Sequence, residues 1–192
     1  MRMPSSAVMD ADCGVEPYHR PMLRLPAALL LALAAGACSP TFNWREVRVE
    51  PASLQAMLPC KPDKGSRRVP MGGQDVVLEV LGCDAGGATF ALLQADLGDG
   101  ARTDEVLEQW NRATLANMQG KATAARPFTL AGATPLAGAQ RVSAQGKRRD
   151  GSAVRSEAAY FARGGRVFQA VVYAADPRPE WVQPFFDGLQ FE

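Results

Sequence analysis

The longest uninterrupted apolar run in the chain, Leu25 to Ala37 in "LPAALLLALAAGACSP", constrains the fold most, because it decides which residues are left to fold. A bilayer span needs roughly 20 apolar residues, whereas the apolar part of a secretory signal has about 7–15. The run is therefore read as a targeting segment, too short to cross a membrane comfortably. Arg20 and Arg24 precede it and supply the positive flank that stays on the cytoplasmic side. Ala34, Ala35, Gly36 and Ala37 close it. A processing peptidase needs such small side chains because the chain must lie extended in a narrow cleft.

The end of the run, "AAGAC" at 34–38, resembles a bacterial lipobox. The resemblance implies that the Cys38 thiol carries diacylglycerol, that the chain is cut before Cys38, and that the new amino group is acylated. Ala35 departs from the commonest pattern, which has a Leu near that place; Leu33 lies slightly upstream. The alternative is an ordinary signal peptide cut after "AGA", with Cys38 left as a free or bridged thiol. Three acyl chains exceed the two signals that stable anchoring requires, so the lipobox reading holds the protein on a membrane without spanning it. Ser39 follows Cys38 where an Asp would imply inner-membrane retention. The same resemblance thus favours the outer membrane, on its periplasmic face.

Residues 1–21 carry Asp10, Asp12 and Glu16, which are unusual in a signal's positive region. A start at Met22 would give a compact and typical signal. The expected organisation is a gene-model extension at 1–21, a lipoprotein signal peptide at 22–37, a tether at 38–44 and one domain at 45–192.

Processing before Cys38 removes Arg2, Arg20 and Arg24 together with Asp10, Asp12 and Glu16, so the formal net charge stays at +1. That balance offers no basic field for nucleic acid. Processing also removes His19, the single His of the chain. A domain without His has no Ser-His-Asp or Cys-His catalysis and lacks the usual general base near neutral pH. The expectation is a non-enzymatic protein with no cofactor and no metal. Asp96 and Asp99 in "ADLGDG" are paired carboxylates, but a calcium loop needs more oxygen ligands at fixed spacing, so they read as a solvated turn. "MGGQD", "DAGG" and "RGGR" lack the Lys spacing of a phosphate loop and read as hairpin turns.

Cys60 and Cys83 remain as a pair. In an oxidising compartment the simplest reading is a disulfide between them. The rivals are a redox pair or a metal site; without C-x-x-C spacing or any His outside the targeting segment, the pair is a poor zinc ligand set.

The rest of the chain alternates strand and turn signals. Short strands are expected around Val47 and Val49, over "LQAML", and over "SRRVPM", where Pro70 implies a sheet edge. "DVVLEVLGC" and "ATFALLQADL" flank "DAGG" as a hairpin. Leu107, Trp110, Thr114 and Met118 recur at helical spacing, with Thr103 placed to cap the helix and Gly120 to stop it. "ARPFTLAGATPLAGA" reads as a loop with a short extended piece around Phe128 and Leu130. Three meander strands follow, turned at Asp150-Gly151 and Gly164-Gly165. A short helix beginning near Asp176 and a terminal strand "LQFE" close the chain, with Pro184 weakening the helix. The expected fold class is α+β, an antiparallel sheet flanked by helices.

This order resembles the PsbP-like fold shared by DcrB-type bacterial lipoproteins. The matching pieces are Leu58-Pro59 at a strand end, the mid-chain helix, the "DG" and "GG" hairpins and the closing "FFDGLQF". The resemblance spans most of residues 45–192 and rests on element order alone. It implies a small accessory or binding module. The expected function is therefore a membrane-anchored module that binds a protein partner of the cell envelope. The alternative is a carrier holding a small amphiphile between sheet and helix; a carboxylate hydrolase is the third class. "GKRRDG" at 146–151 reads as a solvated basic turn, with anionic lipid or lipopolysaccharide as the functional alternative. Trp110, Trp181, Phe185 and Phe186 read as core, and Trp44, beside the tether, as core or ligand groove.

Overall fold

A computed structural model describes residues 41–192; the expected signal at 22–37, the expected extension at 1–21 and Cys38 lie outside the described residues. Ten strands follow in chain order: β1 (Arg45–Val49), β2 (Leu54–Leu58), β3 (Asp63–Met71), β4 (Gln74–Ala85), β5 (Ala88–Asp96), β6 (Lys121–Pro127), β7 (Gln140–Lys147), β8 (Ala153–Arg163), β9 (Arg166–Ala174) and β10 (Gln190–Phe191). Helix α1 (Thr103–Asn117) sits between β5 and β6, and α2 (Pro179–Asp187) between β9 and β10.

The strands form two sheets. Seven make a large antiparallel sheet in the order β3-β4-β5-β9-β8-β7-β6, and three make a small one in the order β1-β2-β10. The expected class, a single antiparallel sheet flanked by helices in an α+β fold, is thereby corrected. Among the described residues the fold is β-rich, with two sheets and only two α-helices, of 15 and 9 residues.

The physical reason lies in β5, β8 and β9. An antiparallel strand with one wet face alternates apolar and polar residues, and these three do not. Phe90, Leu92, Phe161, Phe168, Ala170 and Val172 point to one face, where Leu54, Leu58, Phe185 and Phe191 meet them. Ala91, Ala95, Ala158, Tyr160, Val167 and Val171 point to the other, where Val106, Leu107 and Trp110 of α1 meet them. Both faces of the sheet centre are dry, so each needs a cover. The helix α1 covers one face; the small sheet and α2 cover the other.

Helix α1 forms where the 3.6-residue period appears, burying Val106, Leu107, Trp110 and Thr114, and its solvent side carries the Glu108–Arg112 pair at 3.5 Å. Thr103 does not cap it. Arg102 holds the cap position, and the Thr103 hydroxyl points instead toward the Gly164 carbonyl, 3.5 Å away. The helix also stops before Gly120, with Gln119 taking the left-handed backbone conformation at φ 45°. Residues 121–127, overlapping the expected loop at 125–127, form β6, an edge strand exposed throughout, whose Ala-rich sequence has no two-residue period to announce it; Phe128 and Leu130, expected as an extended piece, lie outside any strand. Helix α2 starts at Pro179 rather than near Asp176 and tolerates Pro184, because Trp181, Val182, Phe185 and Phe186 are all buried on its sheet side.

Phe90 is fully buried and touches Phe42, Trp44, Trp181 and Phe185 at centroid distances of 5.6–6.5 Å. It therefore joins the entry to β1, α2 and the large sheet. Replacing Phe90 with Ala is expected to cost about 3–5 kcal/mol, read as a lowered midpoint in urea unfolding.

Candidate functional site

One row of paired residues crosses the large sheet from its core to its exposed edge. Phe168 on β9 pairs with Gln94 on β5, Gln94 with Glu79 on β4, and Glu79 with Ser66 on β3. All four share the face that carries the small sheet. Phe168 is fully buried and Ser66 is exposed, so the cover ends between them. There an open groove of about 560 Å³ runs between β1, the outer strand of the small sheet, and the β3–β4 hairpin. Val49, Lys64, Ser66, Glu79, Leu81 and Gln94 line it.

Gln94 sits at the inner limit of the groove and is only 3% exposed. Its Nε2 donates to the Glu50 carbonyl at 2.8 Å and to the Glu79 carboxylate at 2.5 Å. Its Oε1 is buried and has no partner among the described residues. A buried acceptor left unpaired costs about 1–3 kcal/mol, so this atom favours any N–H or O–H donor brought to it. Around it the groove mixes charge: Arg48 pairs with Glu50 at 2.8 Å and with Glu192, while Lys64 and Glu79 line the opposite side.

The space beneath α1 is different. Val106, Leu107, Trp110 and Tyr160 fill it, and Gln169 donates to the Tyr160 hydroxyl at 2.9 Å and to Thr114 Oγ1 at 3.0 Å. Burial raises the pKa of Tyr160, and Tyr173 is pushed up to about 12 by burial first and by Tyr160 second. Both phenols are thus held neutral by folding. Their contribution to stability is complete below the unfolded value of about 10 and is lost as pH rises through the folded value. The melting temperature is expected to fall between pH 10 and about 12. Tyr173→Phe should flatten that fall in thermal melts across the range.

The structure places the other candidate residues as follows. Cys60 and Cys83 form a disulfide, Sγ–Sγ 2.02 Å, which ties the end of β2 in the small sheet to β4 in the large one. Asp96 accepts from the Gly98 amide and pairs with Arg166; Asp99 accepts from the Ala101 amide at 2.9 Å and caps a short 3-10 turn. Both carboxylates are occupied in the turn. No group of three His, Cys, Asp or Glu among the described residues lies close enough to hold a metal ion. Trp181, Phe185 and Phe186 are core under α2, and Trp44 is half-buried, stacked on Phe42 and set edge-on to Phe90. Arg141 has no counterpart in the sequence reading. It lies under α2 with its guanidinium 4.0 Å from the Phe186 ring, beside Glu157, and desolvation lowers its pKa. Its neighbours in β7, Gln140, Val142 and Ser143, are mixed in polarity and give no local signal for it. Gln94, by contrast, is marked by interrupting the apolar run of β5.

No protein-family model matches the chain, and none of the curated proteins matches it. A crystal structure of a Pseudomonas aeruginosa protein of unknown function is similar at 11% identity and a TM-score of 0.38, over 76% of this chain and 92% of that one. Similarity of that degree carries no argument about this chain.

Opening the Cys60–Cys83 bridge, by reduction or by a double Ser substitution, is expected to cost about 3 kcal/mol on the chain-entropy model. Urea unfolding with and without reductant measures it; equal midpoints would show that the bridge adds nothing.

Proposed function

We propose that this chain is an envelope lipoprotein, anchored through Cys38 to a membrane at its periplasmic face, whose domain is a non-enzymatic module that binds an extended segment of a protein partner. One observation carries the binding role: the groove beside β1, where an edge strand stands over an uncovered face of the large sheet. An edge strand presents a row of unpaired backbone N–H and C=O groups, which an incoming extended segment can pair with. The unpaired Gln94 Oε1 at its inner limit supplies a further acceptor for a partner's donor. The amphiphile-carrier alternative needs space between sheet and helix, and side chains fill that space. The anchor at Cys38 rests on the lipobox resemblance, and the outer-membrane placement on Ser39.

A photo-crosslinking residue at Ser66, in the groove, and another at Arg112, on the solvent side of α1, test the reading in intact cells. Defined protein adducts are expected from position 66 and not from 112. Recovery of lipid at both positions with no protein adduct would replace this reading with the carrier.

A further inference from the structure

The β4–β5 turn marks the end of the domain where the described chain begins. A side-chain carbon added at Gly86 would meet the Phe42 ring at 2.5 Å, so the entering segment lies against that turn. Thr41 and Phe42 line a shallow pocket there with Gly86, Gly87, Arg178 and Trp181. Cys38 precedes Thr41 by three residues, which span roughly 11 Å at full extension. An acylated Cys38 therefore keeps this end of the domain against the bilayer.

The strand register brings a second feature to the same end. Ala88 pairs with Ala174, and Ala174 with Arg155, so the β4–β5 turn, the end of β9 and the start of β8 share one line. Beyond that line the β7–β8 hairpin continues through Ala153↔Lys147 into the turn at 148–152. At about 3.3 Å per residue its tip projects roughly 10 Å farther. The tip carries Lys147, Arg148 and Arg149, all exposed. None of the ion pairs among the described residues includes them. Of the acids at this end, Glu180 and Asp63 are in none of these ion pairs, and the three nearest the tip and the β4–β5 turn are occupied locally. Asp150 accepts from the Ser152 amide and hydroxyl at 2.9 and 2.7 Å, Asp176 pairs with Arg155 at 3.2 Å, and Asp84 accepts from Thr89 at 2.6 Å. The turn itself is closed by Arg148 N–H to the Ser152 carbonyl at 2.8 Å and Gly151 N–H to the Arg148 carbonyl at 3.0 Å.

We propose that the tip of the β7–β8 hairpin is a second membrane contact, in which Lys147, Arg148 and Arg149 meet the phosphates of anionic phospholipids. The acyl chains hold the protein on the membrane, and the tip fixes how it stands there. Its effect is one of orientation, leaving the β1–β3 groove turned to the side for a partner. The inference rests on the Cys38 anchor. Each basic side chain near an anionic surface favours contact by about fivefold at low salt, so three favour the docked orientation on the order of 100-fold. Screening over about 10 Å at 0.1 M salt weakens it.

The full lipidated chain, with its disulfide intact and a fluorophore at Ala153→Cys, is reconstituted into two kinds of vesicle. One is phosphatidylcholine alone; the other also contains phosphatidylglycerol. Each carries a headgroup nitroxide as quencher. Strong quenching is expected only with phosphatidylglycerol, falling with added salt and lost when Lys147, Arg148 and Arg149 are all changed to Gln. Equal quenching in neutral vesicles, or quenching that survives the triple Gln change, overturns the proposal. In a control with lipopolysaccharide replacing phosphatidylglycerol in the second vesicle, quenching there but not with phosphatidylglycerol also overturns it, by naming another occupant. Intact mass and flotation with vesicles report the anchor separately. A chain without acyl groups that does not float refutes the anchor and this proposal with it, whereas a floating chain with an unquenched tip refutes the proposal alone.

Discussion

The rest of this structure depends on one constraint: the central strands of the large sheet are apolar on both faces. Phe90, Leu92, Phe161 and Phe168 face one way, Tyr160, Val167 and Val171 the other, and all are buried. A sheet of that kind is stable only between two covers, because leaving one large apolar side chain exposed forgoes roughly 1.5–3 kcal/mol. The chain supplies the covers from separate places. Helix α1 comes from the connection between β5 and β6, while the small sheet joins strands from the two ends of the described chain, with β10 pairing onto β2. The disulfide then fixes the small sheet's end to the large one.

The width of the covers decides where the molecule can bind anything. The small sheet is three strands wide and the large one seven, so the outer strands of the large sheet run beyond their cover. The sequence marks that boundary. Inward positions on β5 read Phe90, Leu92, Gln94, and the amide appears where the small sheet stops. Farther out, Glu79 and Ser66 continue the row with side chains suited to water. The groove follows from a mismatch in size between two layers, and Gln94 is where the mismatch becomes polar.

Much of the strand order is legible in the sequence because local signals declare it. Asp150-Gly151 and Gly164-Gly165 turn hairpins, and the period of Leu107, Trp110 and Thr114 declares α1. What is not legible has a common physical cause. Which sheet a strand joins depends on contacts distant in sequence, such as Gln190 with Gln55, and no local period encodes them. The α+β expectation fails on this point, since β1, β2 and β10 carry strand signals with no indication of a sheet of their own. Strand β6 escapes notice because both its faces are exposed and Ala122, Ala124 and Ala125 show no alternation. For the site, Cys60 and Cys83 are visible as residues, whereas the groove beside Gln94 exists only once two sheets are stacked.

The two ends of the large sheet carry different chemistry, and the chain's direction explains why. At one end lie the described N-terminus, the disulfide, the β4–β5 turn and the basic β7–β8 tip. At the other lie the Gly98–Arg102 turn, the Gly164-Gly165 turn and the chain's last residue, with Arg163 donating to the Glu192 carbonyl at 3.2 Å. The anchor proposed at Cys38 would turn the first end toward the membrane and the second away from it. The groove beside β1 lies along the flank between them, where neither a bilayer nor the acyl chains would cover it. A partner could then reach it while the protein stays anchored, provided that the domain does not roll on its tether. A single flexible attachment permits such rolling, and a contact off the tether's axis opposes it. The projecting tip lies about three strand spacings, roughly 14 Å, from the β4–β5 turn, which is the kind of offset that resisting rotation requires.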